Sequence, residues 1–197
     1  MTGERPARER ILDAAMDRIA SDGIDAVRIA RIAMDARVST ALVPYHFATR
    51  EALLAEALEH SFETAGEVRD ESSTDPAVRL KAMIEQCLPL PGELERDWVL
   101  WVELWLRAVR HPELRPTAAK LYARMKAWFK AAIEEGEFGV SDAGAIADRT
   151  LALIDGLGLR ALLGDPGMPL ERARSEVWHA LEGDLGLRDE APSGYVH

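Results

Sequence analysis

Residues 28–54 read RIARIAMDARVSTALVPYHFATREALL: two very short helices, a tight turn between them, and the capped start of a third. Helices this short, joined this tightly, bury little. They commonly present one helix outward, and the major groove of DNA is the usual target of such a pair. Ile29, Ile32 and Ala33 recur at helical spacing, so the first short helix can bury one face while Arg28 and Arg31 point to solvent. Ala36, Arg37 and Val38 form the turn. Ser39 has the hydroxyl of an N-cap, which places the second short helix at about residues 40–45. Leu42 or Val43 anchors that helix inward, and Thr40, Ala41, Pro44 and Tyr45 face out. Small residues at its start allow close approach to base edges, and Thr or Ala can touch a thymine methyl. His46 either meets a phosphate or fills the small core. Thr49 caps the next helix, with Arg50 in its first turn, where free backbone N–H groups and partial positive charge suit a phosphate.

Outward from this segment the whole chain reads as helix. A first helix at about residues 5–21 buries Ile11, Leu12, Ala15 and Ile19 and ends at Gly23. A fourth runs from Arg50 to about Arg69. Asp75-Pro76 restarts the pattern as a cap and first-turn pair, and a fifth helix reaches Leu88. A sixth spans residues 93–110, a seventh about 116–135, an eighth from a cap at Ser141 to Leu163, and a ninth about 170–185. The expected architecture is all-α with about nine helices. A three-helix helix-turn-helix DNA-binding domain occupies residues 1–50, a helical effector-binding and dimerisation bundle residues 51–188, and a loose tail residues 189–197. The fourth helix is placed to serve both parts as a lever.

Composition narrows the function. At 197 residues the chain is long enough for one sizeable core or two small ones. It carries 24 Lys and Arg against 34 Asp and Glu, a net charge of −10. Residues 1–50 hold a net +1 and the remainder −11, so the deficit lies outside the segment that would meet DNA. No apolar run reaches the roughly 18 residues needed to span a bilayer, and no signal peptide is visible, so a cytoplasmic protein without a membrane partner is expected. Cys87 is the only cysteine, which excludes an intrachain disulfide. Motifs for zinc, a P-loop or a dinucleotide are missing, so neither a metal nor a cofactor is expected. No nucleophile with an obvious base and no paired acid and base appear, which argues against an enzyme.

The pieces Arg10-Ile11-Leu12-Asp13-Ala14-Ala15, Gly23, Ile32-Ala33, Val38-Ser39, Tyr45-His46-Phe47 and Arg50-Glu51-Ala52-Leu53-Leu54 resemble, in order and spacing, the DNA-binding head of the tetracycline-repressor (TetR) family of transcription regulators. The resemblance covers about the first quarter of the chain. Two residues depart from it. Arg37 stands in the turn where Gly is usual, because Gly tolerates positive φ; Arg37 must accept strain or a different turn. Pro44 stands where an aromatic residue is common, and should cut short or kink the second short helix near Val43. The resemblance implies a dimeric repressor on a near-palindromic double-stranded operator, released by a small-molecule effector. Arg28, Arg37, Ser39, Thr40, Ala41, Pro44, Tyr45, His46 and Arg50 are the expected DNA-contacting residues. The same two departures permit the other reading, an all-helical small-molecule-binding protein or enzyme that has lost DNA recognition.

In the body, Trp98, Trp101 and Trp105 crowd the sixth helix, with Tyr122, Trp128 and Phe129 on the next. Such a stripe is either core or, in a family that senses small molecules, a pocket wall. Met83, Cys87, Asp155 and Leu159 are the expected neighbours. Asp155 interrupts an apolar segment and needs a partner: a nearby backbone or Arg group, or a cationic ligand that a Trp face also attracts. Trp98-Val99-Leu100-Trp101 and Asp155-Gly156-Leu157 more loosely resemble the betaine-regulator branch, which hints at small polar or cationic effectors. Leu153, Leu157 and Ala161 on the eighth helix and Val177, Trp178 and Leu181 on the ninth form stripes. They either close the monomer core or, as the resemblance implies, pack against their own copies as a four-helix dimer interface. Gly156 and Gly158 would allow close approach there.

Overall fold

The computed structural model describes residues 5–23, 25–66 and 73–187. The regular elements among them are all helical: α1 (Ala7–Asp22), α2 (Ile29–Asp35), α3 (Leu42–His46), α4 (Arg50–Gly66), α5 (Pro76–Gln86), α6 (Glu93–Arg110), α7 (Arg115–Glu135), α8 (Ala143–Leu162) and α9 (Leu170–Asp184), with a short 3-10 turn at Pro112–Leu114. The expected all-α architecture is what the chain adopts. The proposed tail at 189–197 lies outside the described residues.

Local chemistry sets most of the boundaries. Asp75 accepts from Ala77 N–H at 2.8 Å and Pro76 supplies the first helical residue, so α5 starts where its cap and its fixed φ agree. Thr49 Oγ1 accepts from Ala52 N–H at 3.0 Å and opens α4. The eighth helix is capped one residue later than expected. Asp142, not Ser141, accepts from Ala145 N–H at 2.9 Å, because the carboxylate is the stronger acceptor for the free N–H groups. α1 ends at Gly23, whose φ of 72° turns the chain while its N–H donates to Ile19 O. Glu103 Oε1 of α6 lies 3.3 Å from where a Cβ would stand at Gly23, a close approach that a small shift of the Glu103 side chain could relieve, so the positive φ is the stronger demand for Gly.

Two compact units arise. The first combines residues up to 69 with 89–122. Its core joins Ile11, Leu12, Ala15 and Ile19 of α1, Ile32 and Ala33 of α2, Val43 of α3, and Leu53, Leu54 and Ala57 of α4 to Leu100, Leu104 and Ala108 of α6. α1 packs against α2, α4 and α6, and α4 packs against α6. The helix-turn-helix segment therefore shares one hydrophobic core with α4 and α6, and compactness does not end at residue 50. α4 lies wholly within this unit and contributes Leu53, Leu54 and Ala57 to its core.

The second unit holds residues 70–88 and 123–197. α8 and α9 pack on each other, and α5 packs on α9. Leu80, Met83 and Ile84 of α5, Phe129 and Ile133 of α7, Leu151 and Ile154 of α8, and Ala173, Val177 and Leu181 of α9 are buried. Arg174 of α9 pairs with Glu85 of α5 at 3.5 Å, and Lys81 lies over the Trp178 ring, 5.6 Å from its centroid.

Candidate functional site

α2 ends in a left-handed turn built on Arg37. Val38 N–H donates to Ala33 O at 2.9 Å and Arg37 N–H to Met34 O at 3.1 Å, the paired bonds of a Schellman helix end. The residue between them must take positive φ, and Arg37 does so at 56°. Of the two outcomes open to Arg37, the chain accepts the strain. Arg37 is exposed.

α3 begins at Leu42, two residues later than expected. Ala41 occupies the cap position without a side-chain bond, and Ser39 is not the N-cap: its carbonyl instead accepts from Leu42 N–H at 3.0 Å across a turn at Thr40 and Ala41. Pro44 explains the difference. A helix starting at Thr40 would need Pro44 to donate to the Thr40 carbonyl, and proline has no N–H. Started at Leu42, the helix holds Pro44 in its first turn, where the missing N–H has no intrahelical partner to lose. The shortening expected near Val43 thus falls on the front end of the helix. Five residues remain, and their sidedness is clear. Val43 is 0% exposed and anchors the helix, while Tyr45 is 79% exposed. Ser39, Thr40, Ala41 and Pro44 are exposed as well, and His46 is half-buried against Tyr45 and Phe47. Met34 of α2 adds another exposed apolar side chain.

The arginines around α3 also serve the scaffold. Arg50 Nη1 donates to Asp25 O at 3.1 Å, and Arg28 Nη1 lies 3.4 Å from both Asp25 O and Ala26 O. Both guanidinia therefore brace the loop that leads into α2, a role the sequence reading missed. Each keeps further N–H groups, because a guanidinium carries five. Arg18 and Asp35 tie α1 to α2 at 2.6 Å, and this hydrogen bond holds the Asp35 carboxyl below the usual carboxylate range. Arg8 pairs with Glu56 and stacks over the Phe47 ring.

The expected effector residues fall in both units. In the first, Trp98, Trp101 and Trp105 on α6 and Tyr122 on α7 form one aromatic cluster. Trp105 meets Trp98 nearly edge to face at 6.0 Å and Trp101 at 6.1 Å, and Trp101 meets Tyr122 at 5.4 Å. Trp98 is buried, while Trp101, Trp105 and Tyr122 keep accessible surface. In the second unit, Met83 and Phe129 are buried and Cys87, Asp155 and Leu159 are partly accessible. Burial, helped by the charge of Asp155, pushes the Cys87 thiol up to about 12, so it behaves as a small neutral hydrophobe.

Two of the expected dimer residues are used up within the chain. Val177 and Leu181 are 0% and 1% exposed, enclosed by the second unit's own core, and cannot line a surface. A stripe on one helix cannot reveal whether its partner comes from the same chain. Leu153, Leu157, Ala161 and Trp178 remain half-buried, and Leu163 is largely exposed. Gly156 is exposed in mid-helix, and a Cβ there would meet nothing within 4 Å.

A short helix anchored by one buried valine and presented behind a strained turn, on a scaffold of further helices, is the architecture of a helix-turn-helix DNA-binding regulator. Comparison with known proteins agrees at both ends of the chain. Residues 11–57 match the model of the bacterial regulatory proteins of the tetR family, and residues 76–185 match that of the BetI-type transcriptional repressor C-terminal domain. The chain belongs to the TetR family of transcriptional regulators, with a BetI-type C-terminal part. It is 26% identical to the HTH-type transcriptional regulator BetI 1 of Chromohalobacter salexigens, over 93% of each chain. Among solved structures it is similar to a transcriptional regulator of Saccharomonospora viridis in complex with choline, at 33% identity and a TM-score of 0.77, covering 89% of this chain and 95% of that one. It is likewise similar to a TetR-family regulator of a Rhodococcus species, at 29% identity and a TM-score of 0.79, covering 91% and 98%.

Proposed function

We propose that this repressor binds a near-palindromic operator as a homodimer through α3 and lets go when a small cationic effector occupies its body. The observation that carries the reading is the sidedness of α3 and the turn before it: Val43 locked in the core, with Thr40 and Ala41 of the turn and Pro44 and Tyr45 of the helix outside it. Thr40, Ala41 and Tyr45 read base edges, and Arg28, Arg37, Ser39, His46 and Arg50 serve the phosphates. An operator of two half-sites about one turn, ~34–36 Å, or slightly more apart follows from two-fold symmetry. The dimer forms over Leu153, Gly156, Leu157, Ala161 and Trp178.

The effector meets the aromatic cluster of Trp98, Trp101, Trp105 and Tyr122, whose ring faces attract a cation. The choline bound by the Saccharomonospora regulator supports a quaternary ammonium as the first probe. The exposed carboxylates of an acidic body favour the same sign. Release needs only that the effector bind the non-DNA state more tightly than the DNA-bound one. The protein acts as a regulator and not as a catalyst, in the cytoplasm where its DNA lies. Gel shifts with specific and scrambled duplexes, with and without choline, test the reading. A complex that forms equally on both duplexes, or ignores every quaternary ammonium, contradicts it.

A further inference from the structure

We propose that the indole N–H of Trp105 is the hydrogen-bond donor of the effector site, so that the effector joins an oxygen acceptor, a hydroxyl or a carboxylate, to its cationic centre. The inference rests on the aromatic cluster being that site. Trp105 Nε1 is enclosed from water and has no hydrogen-bond partner among the described residues. Such a donor has lost its hydration without gaining a replacement, a state most buried indoles avoid. The neighbouring Trp98 ring stands at 88° to Trp105 with centroids 6.0 Å apart. A ring face is at most a second-order acceptor and leaves the N–H short of a full bond. Trp105 stands between Trp98 and Trp101 in the cluster and, taken as a whole residue, keeps accessible surface.

Two reaches then start from neighbouring rings. A cation is held within about 6 Å of a ring centroid, and an acceptor oxygen sits about 2.9 Å from an N–H nitrogen. Trp98 and Trp101 both lie about one ring spacing from Trp105, at 6.0 and 6.1 Å. A compact molecule with only a few bonds between charge and oxygen satisfies both. A simple tetraalkylammonium satisfies the first alone. The N–H is also a means of discrimination, because an analogue without the oxygen leaves a buried donor unpaired.

Calorimetric titration of the full chain with choline, glycine betaine, propyltrimethylammonium and tetramethylammonium tests the assignment. Propyltrimethylammonium keeps the size of choline and replaces its hydroxyl by a methyl group. We expect choline or glycine betaine to bind about tenfold more tightly than propyltrimethylammonium, the effect of one buried hydrogen bond. In Trp105→Phe, which keeps an aromatic face and loses the donor, that advantage should shrink to about twofold or less while propyltrimethylammonium binds much as before. Propyltrimethylammonium equalling both oxygen-bearing probes in the natural chain overturns the assignment and leaves the cationic reading standing. So does an undiminished advantage in W105F. Failure of all four probes removes the cationic reading and the assignment together. The comparison in the natural chain decides even if W105F does not fold.

Discussion

Arg107 of α6 donates from Nη2 to Asp25 Oδ1 at 2.5 Å, and from Nη1 to Glu51 Oε1 of α4 at 3.3 Å. Glu103, one turn earlier on α6, lies 4.0 Å from its Nε. The helix that carries Trp98, Trp101 and Trp105 thus holds, through one arginine only 11% exposed, both the loop before α2 and the first turn of α4. If an effector meets α6 as proposed, a movement of that helix would reach the DNA-binding helices along this link, within a single shared core.

Arg107→Met keeps the apolar stem and removes the charge, leaving Glu51 and Glu103 without their common partner. We expect a loss of about 1–2 kcal/mol in unfolding free energy, since charged hydrogen bonds are worth more than neutral ones. The Asp25 share is small because that carboxylate is exposed. DNA binding should persist but respond less to effector, because the coupling element is cut. Denaturant unfolding and effector-dependent gel shifts measure the two effects. An unchanged effector response assigns the coupling elsewhere.

Tyr45→Ala should leave the melting temperature nearly unchanged, because the ring is 79% exposed, and should weaken specific DNA binding about tenfold. Thr40 substitutions should alter site preference. Arg50→Ala should weaken all sequences alike and reduce the salt slope by about one phosphate contact. Because Arg50 also braces Asp25 O, its variant should additionally lose a little stability. Fluorescence anisotropy on specific and scrambled duplexes at several salt concentrations separates these outcomes.

Arg37→Gly relieves a side chain held at φ 56°. The left-handed conformation costs an ordinary residue about 1–2 kcal/mol, part of which Gly gives back as unfolded-state entropy, so a net gain of about 0.5–1 kcal/mol is expected. The melting temperature should rise by about 1–4 °C. If the exposed guanidinium serves a phosphate, DNA affinity falls as stability rises. A variant that gains both places Arg37 away from the duplex.

Gly156→Ala should stabilise the isolated chain by up to about 1 kcal/mol, because Gly is the poorer helix former and the space is open. Gly156→Leu should fit a single chain equally well but obstruct a second copy. Sedimentation equilibrium is the check: a dimer for the natural chain and a monomer for the Leu variant. Undisturbed dimerisation of the Leu variant moves the interface off this face.

Asp35→Asn replaces the carboxylate that accepts from Arg18 by a neutral amide, and so removes the charge that strengthens the bond. That bond lowers the folded pKa of Asp35, so its contribution is complete above the ordinary carboxylate value, near 4, and is lost as the pH falls through the lowered folded value. The natural chain should therefore be the more stable at neutral pH and converge with the variant in acid. Unfolding curves from pH 7 to 2 show it, and a constant gap across that range refutes it.

The helices were legible in the sequence wherever local chemistry sets them. α6 begins after Gly92 and ends before His111-Pro112 as its apolar spacing requires, and Asp75-Pro76 announces α5. α3 was misplaced because the missing N–H of Pro44 acts four residues upstream, on Thr40, and overrides a plausible cap at Ser39. The partners of Arg28, Arg50 and Arg107 were not legible, since loop carbonyls and a carboxylate far along the chain become neighbours only when α1, α4 and α6 share a core. Val177 and Leu181 show the same limit: periodicity reveals a face and not which chain covers it.

The most direct measurement is capture of sheared genomic DNA by the purified chain at low salt, repeated with Tyr45→Ala and with choline. Retention of a few fragments sharing an inverted repeat, lost in the variant and released by choline, is the result expected of α3 reading an operator under effector control. Retention of no fragment, or of the same fragments by both proteins regardless of choline, would mean that the helix anchored by Val43 does not meet DNA.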